Sequence, residues 1–540
     1  MAGADCDAWE PLARCGGRGT IVDDDGTEMG YDELRVRAVR LGSRLRASVL
    51  GILVPNSTAC LVAHFACAWA RKVALNCNPR LSEDELKYVL DNADCDTVLA
   101  HATYAALATK VAPNVLWTDD EVLSYDDDDG PATTKETPSR RRPPVRRGSL
   151  AGEDLFAEMY YTSGTSGRPK GVVLSGRIVV LHCLGCMVEH RLGETDVWLH
   201  AAPAFHLVDA YAIFAVTWLR GTHVSLARFS TQAVYDRVAK YGVTVTNLAS
   251  TMVTMLLADQ KNKGDVSSLQ LLSCGGAPLS RATVLDALRV FQCEFFLSYG
   301  MTECCGKIAT SLVDDEAKIP PEDRLDRICS SGRPFSLLEV KVVKVTADQD
   351  GEDEDLLEEE VEVVTVKGGS GEVGEVWIRG PTVFEGYHKN PGATEEAFSK
   401  DGFFKTGDLA TVDEYGYLTI TDRKKDMILV GSENVYCVEV ERVLHDHPAV
   451  KHASVFGVPD DAFLGERVKA VVLLASDGPS LRGLTNELRR HCALHLADYK
   501  VPSAIDVVDS LPMTGSGKVA KNELKQRDRR LRIQRRDAKK

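Results

Sequence analysis

No stretch of the 540-residue chain reaches the roughly 18 uninterrupted apolar residues that a membrane-crossing helix requires, so no membrane span is expected. Positive charge is also short, with 64 Lys and Arg against 79 Asp and Glu and a formal net charge of −15. That balance argues against nucleic acid as a partner, because phosphate backbones are held by clustered cations that release counterions. The start, MAGADCDAWEPLARC, lacks the basic residues and apolar run of a secretory signal, and the final RRDAKK is not a peroxisomal Ser-Lys-Leu. The 15 cysteines show no even spacing, which points to reduced thiols in the cytoplasm or an organellar interior. Cys183 and Cys186 beside His182 have no second pair at metal-ligand spacing and sit in an apolar stretch, so they are read as buried cysteines rather than zinc ligands. Cys304 and Cys305 are expected to react with alkylating reagents.

What is present is an ordinary globular balance, 44% hydrophobic and 26% charged, in a chain too long for one core. From about residue 1 to 120, apolar runs such as Val49 to Pro55 alternate with helical patterns such as Cys60 to Arg71, the rhythm of βαβ units. A second such series runs from Glu158 to about Val343. Between them, residues 124–148 pass from an acidic run to a basic, Pro-rich one and read as a disordered loop. A second acidic insertion, about 348–363, reads as solvated chain, and short β-rich stretches follow it.

The segment YTSGTSGRPKG, Tyr161 to Gly171, stands between a strand-like run and an apolar helical run. Gly164 and Gly167 let backbone N–H groups converge on an anion, Thr162, Ser163, Thr165 and Ser166 add hydroxyls, and Lys170 adds charge. The lysine stands three residues after Gly167 with Pro169 between, so this is not a Walker A loop; spacing alone would also allow a flexible surface turn.

The whole string resembles the signature of the adenylate-forming superfamily, which includes acyl-CoA synthetases, 4-coumarate and 2-succinylbenzoate CoA ligases and fatty-acid CoA ligases. Further segments resemble its other motifs in the family's order, over about Leu53 to Leu524. In SYGMTE, the resemblance implies that Tyr299 stacks on adenine with Gly300 beside it, Thr302 contacts phosphate, and Glu303 is the metal ligand for Mg2+. In KTGDL, Asp408 would accept the ribose hydroxyls. In Thr421 to Glu441, Arg423 would reach ribose or phosphate and Lys425 would be the hinge, while Lys424, Glu439 and Glu441 are expected to be solvated. In LPMTGSGKVAKNEL, Lys518 would be the catalytic lysine of adenylation. SCGGAPLS would bring Gly275, Gly276 and Ala277 to the nucleotide, and APAFH would bring His206 to the acyl group. Val208, Tyr211, Asn247, Leu248 and Cys274 are the remaining acyl-pocket candidates.

Two departures stand out: Ser43 to Ser57 lacks the Gly-Asp turn relatives usually place before that strand, and Ser432, after Gly431, replaces a glycine that lines the pantetheine tunnel in relatives.

The resemblance implies an α/β fold. Its large N-terminal domain, residues 1–422, would comprise two βαβ subdomains plus a small β-barrel region, followed by a small mobile α+β C-terminal domain at 423–530 and a basic tail at 531–540. It implies a carboxylic acid CoA ligase that uses ATP, Mg2+ and coenzyme A and passes through an acyl-adenylate. The alternatives are an adenylation enzyme loading a carrier protein or other non-CoA acceptor, and an inactive nucleotide-binding homologue. The silent reading expects loss of a costly charged residue, yet Glu303, Asp408, Arg423 and Lys518 are all present. Carrier loading usually brings a fused carrier domain, and none follows Lys518.

Overall fold

The computed structural model describes residues 8–9, 12–13, 19–119, 156–162, 168–259, 264–313, 321–344, 372–430, 433–459, 466–475, 483–513 and 519–537. The loop at 124–148 and the acidic insertion at 348–363 lie outside them. The chain divides into two compact units, Met1–Glu339 with Ile378–Phe404, and Val340–Trp377 with Lys405–Lys540.

Among the described residues the first unit is built on two sheets. One has six strands in the order Asn114–Trp117, Thr97–Ala100, Val49–Leu53, Val73–Asn76, Ala157–Thr162, Lys170–Ser175. Its first five strands run parallel and the last turns back. Val49–Leu53 is buried at every residue, as a central parallel strand covered on both faces should be, so the missing Gly-Asp turn does not prevent this strand from forming. The next helix, Thr58–Ala70, starts where the Ser57 side chain accepts the Cys60 N–H and ends at Arg71 in the left-handed conformation, φ 58°.

The strand Ala157–Thr162 leads into the phosphate-loop segment, and a buried polar cluster holds it. Glu158 pairs with His64 Nδ1 at 2.7 Å, accepts the Tyr160 hydroxyl, and lies 3.4 Å from the Asn76 amide. Burial opposes charge on His64, but the adjacent Glu158 outweighs it and pushes the imidazole up to about 10.

The second sheet has nine strands, in the order Arg333–Pro334, Ala309–Thr310, Glu294–Tyr299, Leu271–Gly275, Val245–Ala249, Val197–His200, Thr222–Ser225, Thr20–Val22, Glu28–Gly30. Its middle is parallel, and Glu294–Tyr299 then pairs antiparallel with Ala309–Thr310. Leu199, Val224, Leu248, Leu272, Cys274, Phe295 and Leu297 alternate onto one face and form a hydrophobic core with Val234, Val253 and Val284 from the helices. The other face carries Trp198, His200, Asn247, Ser273 and Phe296, all buried.

The second unit is based on a four-stranded sheet, Glu339–Lys344, Gly374–Arg379, Phe404–Val412, Leu418–Arg423. Beyond it, a three-stranded sheet of Val450–Pro459, Glu466–Leu474 and Ala504–Val508 packs with helices Cys437–His445 and Leu484–His495 around a separate core that begins at Ile428. The last helix runs Lys521–Asp537, through part of the expected basic tail, because no Gly or Pro interrupts it and Arg532 pairs with Asp528 at 2.9 Å and reaches the Pro459 carbonyl at 2.8 Å.

Candidate active site

In open parallel sheets, ligands gather beyond the carboxyl ends of the strands. The motif residues of the first unit stand there. Gly275 ends Leu271–Gly275 and pairs in register with Ser298; a Cβ on it would lie 2.7 Å from the Ser298 hydroxyl. Gly276 follows at φ 91°, a conformation that favours glycine, and the Ala277 carbonyl accepts the Ser250 hydroxyl. Tyr299 ends the neighbouring strand. At Gly300 a Cβ would sit 1.9 Å from the Gly306 carbonyl oxygen, so only glycine lets the chain fold back here. Thr302 then opens a 3-10 turn, Thr302–Cys304, that buries Glu303.

The phosphate-loop segment is closed by its flanking strands, with Thr162 opposite Lys170 and Tyr161 opposite Gly171. Ser163, Gly164, Thr165, Ser166 and Gly167 lie outside the described residues. Tyr387 links this hairpin to Glu303: it bridges Val172, the Lys170 ammonium stands 4.7 Å over its ring, and its hydroxyl donates to Glu303 Oε1 at 2.9 Å. His388 N–H donates to the Gly171 carbonyl at 2.8 Å, and Phe384 N–H to the Glu303 carbonyl at 2.7 Å. Burial, then the neighbouring Glu303, push the Tyr387 phenol up, so it stays a donor. Sequence reasoning missed Tyr387; the signal available was the string Phe384-Glu385-Gly386-Tyr387, shortly after the strand Gly374–Arg379.

One carboxylate held by one hydroxyl suits a hard cation that takes most of its oxygens from phosphates and water, as Mg2+ does. Among the described residues no group of three or more His, Cys, Asp and Glu could hold a metal alone, and Cys183 and Cys186 are buried free thiols.

The acyl-pocket candidates divide. Tyr211 and Asn247 lie on the polar-aromatic side of the nine-stranded sheet, and the Asn247 amide donates to the Val208 carbonyl. His206 is half-buried against Phe205, ring centroids 4.7 Å apart. Leu248 and Cys274 do not join them: paired in register, they point to the opposite face and are fully buried in the helix-covered core. Strand alternation puts residue 248 behind the sheet whenever 247 is in front.

The expected reactivity of Cys304 and Cys305 is also corrected. Both are buried, and burial pushes the Cys304 thiol up to about 12 and the Cys305 thiol well above its ordinary value, leaving almost no thiolate at neutral pH. Iodoacetamide should therefore label neither in the folded protein and both after denaturation; mass spectrometry of the native sample finding either one carbamidomethylated would contradict this burial.

In the second unit, Asp408 and Arg423 face each other across a strand pair, and Arg423 Nε lies 3.0 Å from Asp408 Oδ1. Asp408 is buried and Arg423 half exposed, so the guanidinium fixes the carboxylate while presenting its own edge to solvent. Gly407, at φ 72°, shapes the turn before it. Lys425 is exposed in the short 3-10 turn Lys424–Asp426. Glu439 and Glu441 are not merely solvated: they pair with Lys500 and Lys521, each at 2.8 Å. Gly431, Ser432 and Lys518 lie outside the described residues.

Residues 9–388 match the AMP-binding enzyme family, and residues 439–518 match the AMP-binding enzyme C-terminal domain. A feruloyl-CoA synthase of Amycolatopsis sp. is 35% identical over 527 residues, covering 95% of this chain and 97% of that protein. A 2-succinylbenzoate–CoA ligase of Bacillus licheniformis is 35% identical over 383 residues, 71% of this chain and 72% of that protein. Among solved structures, o-succinylbenzoate coenzyme A synthetase from Bacillus subtilis, in complex with ATP and magnesium ion, superposes with a TM-score of 0.77 at 27% identity, over 96% of this chain and 98% of that one. The same enzyme has been solved with its acyl-adenylate intermediate, with the same score and coverage.

Proposed function

The chain belongs to the AMP-binding enzyme family, and on that premise we propose that it is an ATP-dependent carboxylic acid CoA ligase that works through an acyl-adenylate. The observation that carries the reading is the connected line from Lys170 through Tyr387 to Glu303, which ties the phosphate-loop hairpin to the SYGMTE turn at the strand ends.

In the first half-reaction a carboxylate oxygen of the acid attacks the α-phosphorus of ATP, the bond to the β-phosphate oxygen breaks, and pyrophosphate leaves. No protein nucleophile is required. Backbone N–H groups and hydroxyls of residues 163–167, with Lys170 and Lys518, hold the phosphates and offset the charge that develops on them. Tyr299 stacks on adenine beside Gly275, Gly276 and Ala277, and Asp408, held by Arg423, accepts the ribose hydroxyls. Thr302 contacts the phosphate, and Glu303, oriented by Tyr387, would hold Mg2+, which supplies Lewis-acid neutralisation when bound. In the second half-reaction the thiol of coenzyme A attacks the acyl carbonyl, the carbonyl–phosphate bond breaks, and AMP leaves. Ser432, with Gly431, would meet that thiol if the pantetheine route is the one the resemblance implies. The soluble substrates are a small-molecule carboxylic acid and coenzyme A, and among the described residues no helix is long and apolar enough to cross a membrane.

We place the hinge between half-reactions at Lys425, inside the second unit and three residues before the separate core starts at Ile428. A proline there would suit the 3-10 turn, since its φ is fixed near roughly −65°, but would oppose rotation. Lys425→Pro should leave acyl-AMP formation largely intact while acyl-CoA production falls, read in single turnovers that quantify both products; undiminished overall turnover would remove Lys425 as the hinge.

The reading is tested by incubating the protein with ATP, Mg2+, coenzyme A and a panel of aromatic, succinylbenzoate-type and medium-chain fatty acids. Acyl-CoA and AMP should form in equal amounts with at least one acid. AMP formation with transfer only to a carrier protein would favour the carrier-loading alternative, and neither product with any acid would overturn the ligase reading.

A further inference from the structure

The loop that follows the SYGMTE turn buries a lysine that the chemistry above does not use. Lys307 is 2% exposed, yet among the described residues no hydrogen-bond or ion-pair partner meets its ammonium. Its Nζ lies 5.0 Å over the ring of Tyr211, itself buried. An unpaired buried cation is costly, and proteins retain one chiefly where something else completes it.

The surroundings are as incomplete as the lysine. Among the described residues, Asn247 Oδ1, Ser273 Oγ and both ring nitrogens of His190 are buried without hydrogen-bond partners, and the Tyr211 hydroxyl is buried beside the Asn247 side chain. Tyr211 packs against His190 and His182, with centroids 6.2 and 5.4 Å apart, and Asn247 and Ser273 are register partners on the same face of the sheet. Buried polar atoms are nearly always satisfied, so several unpartnered ones on one side of a sheet mark a place where a polar guest is missing. Neither histidine can serve as the counter-charge, since burial and then the nearby Lys307 hold both imidazoles well down and neutral; the Glu189 carboxylate, whose charge does favour the ammonium, is taken up by the Ser336 N–H and hydroxyl and by the Thr310 hydroxyl. Burial also lowers the Lys307 ammonium, which an incoming anion would restore.

This group adjoins the nucleotide turn. Ile308 N–H donates to the Tyr299 carbonyl at 2.7 Å and Gly306 N–H to the Met301 carbonyl at 3.0 Å, so Lys307 lies on the return limb of the same hairpin that presents Tyr299 and Gly300. A Cβ on Gly306 would lie 3.5 Å from the Leu207 Cβ and 3.7 Å from the His182 ring, which puts the limb against the segment that carries His206 and Val208.

We infer that Lys307 is a specificity-determining residue that, with Tyr211 and Asn247, receives a second carboxylate of the acid, so that the preferred substrate class is a dicarboxylic acid activated at one end and recognised at the other. The inference rests on the ligase reading. The ammonium donates to the distal carboxylate and the Tyr211 hydroxyl adds a donor, while the first carboxylate is presented to the α-phosphate.

The test pairs each diacid with its counterpart lacking the distal carboxylate: 2-succinylbenzoate with 4-oxo-4-phenylbutanoate, 4-carboxycinnamate with cinnamate, and suberate with octanoate. Acid-dependent ATP–pyrophosphate exchange is measured with wild type and with Lys307→Met, whose apolar side chain of similar length suits a buried site. Wild type should prefer the diacid in at least one pair, and Lys307→Met should lower that ratio of kcat/KM values on the order of a hundredfold, with the loss carried by the diacid. A wild type that uses the des-carboxy acid as well or better in every pair overturns the inference, as does a ratio unmoved in Lys307→Met; in either case an ordered water, not a substrate, completes the lysine. If Lys307→Met does not fold, by thermal denaturation, the wild-type ratios still decide. Exchange with no acid of any kind overturns the ligase reading instead, so the two failures are distinct.

Discussion

Replacing Lys518 with alanine should reduce acid-dependent ATP–pyrophosphate exchange by about a hundred- to a thousandfold, the usual cost of one preorganised donor to a transition state, or roughly 3 to 4 kcal/mol. In the sequence Thr514-Gly515-Ser516-Gly517-Lys518 glycines flank the lysine, and the proposed mechanism needs it at the transferring phosphate in one half-reaction and away from it in the other. The effect should be confined to adenylation. Thioester formation from supplied acyl-AMP and coenzyme A contains no phosphoryl transfer and should largely persist in the same variant. Equal losses in both steps would mean that Lys518 acts on folding or on acyl-AMP binding, and the assignment would be withdrawn.

Glu303→Gln should have an effect of similar size for a different reason. The glutamate is buried and accepts the Tyr387 hydroxyl at 2.9 Å; a glutamine carbonyl can accept the same bond, so the turn and its melting temperature should change little. What the substitution removes is the negative charge that, in the proposed mechanism, Glu303 would offer to Mg2+. Exchange should fall by roughly a hundredfold, with a higher Mg2+ concentration at half-maximal rate and partial rescue at high Mg2+. A large loss with an unchanged Mg2+ requirement would assign Glu303 a purely structural part, and a small loss would take it out of the metal site.

The contrast between these two residues bears on what a sequence can convey. Local constraints were legible: Gly300 is written as glycine because a Cβ would collide with the Gly306 carbonyl, and such backbone requirements appear as fixed letters in short strings. The βαβ rhythm was equally legible, since Val49–Leu53 is apolar at every position and central parallel strands are buried on both faces. Facing was not. Asn247 and Leu248 are neighbours in sequence and were both assigned to the acyl pocket, but which of them turns toward it depends on which sheet face the helices cover, a property of the whole fold. Tyr387 was missed because its part depends on partners far along the chain, Val172 and Glu303. Cys304 and Cys305 misled for the same reason: proximity to a motif says nothing of burial, and burial decides their reactivity. Lys307 carries the opposite lesson, because a lysine letter suggests solvent and only the packed structure reveals that it is buried.

The central claim is that this chain joins a carboxylic acid to AMP before any thiol enters. It is tested most directly by exchange of labelled pyrophosphate into ATP with Mg2+ and an acid panel, without coenzyme A. The account predicts exchange that requires both the acid and Mg2+ and is abolished by omitting either. Protein that binds ATP yet shows no acid-dependent exchange with any member of a panel spanning aromatic acids, fatty acids and diacids would contradict it.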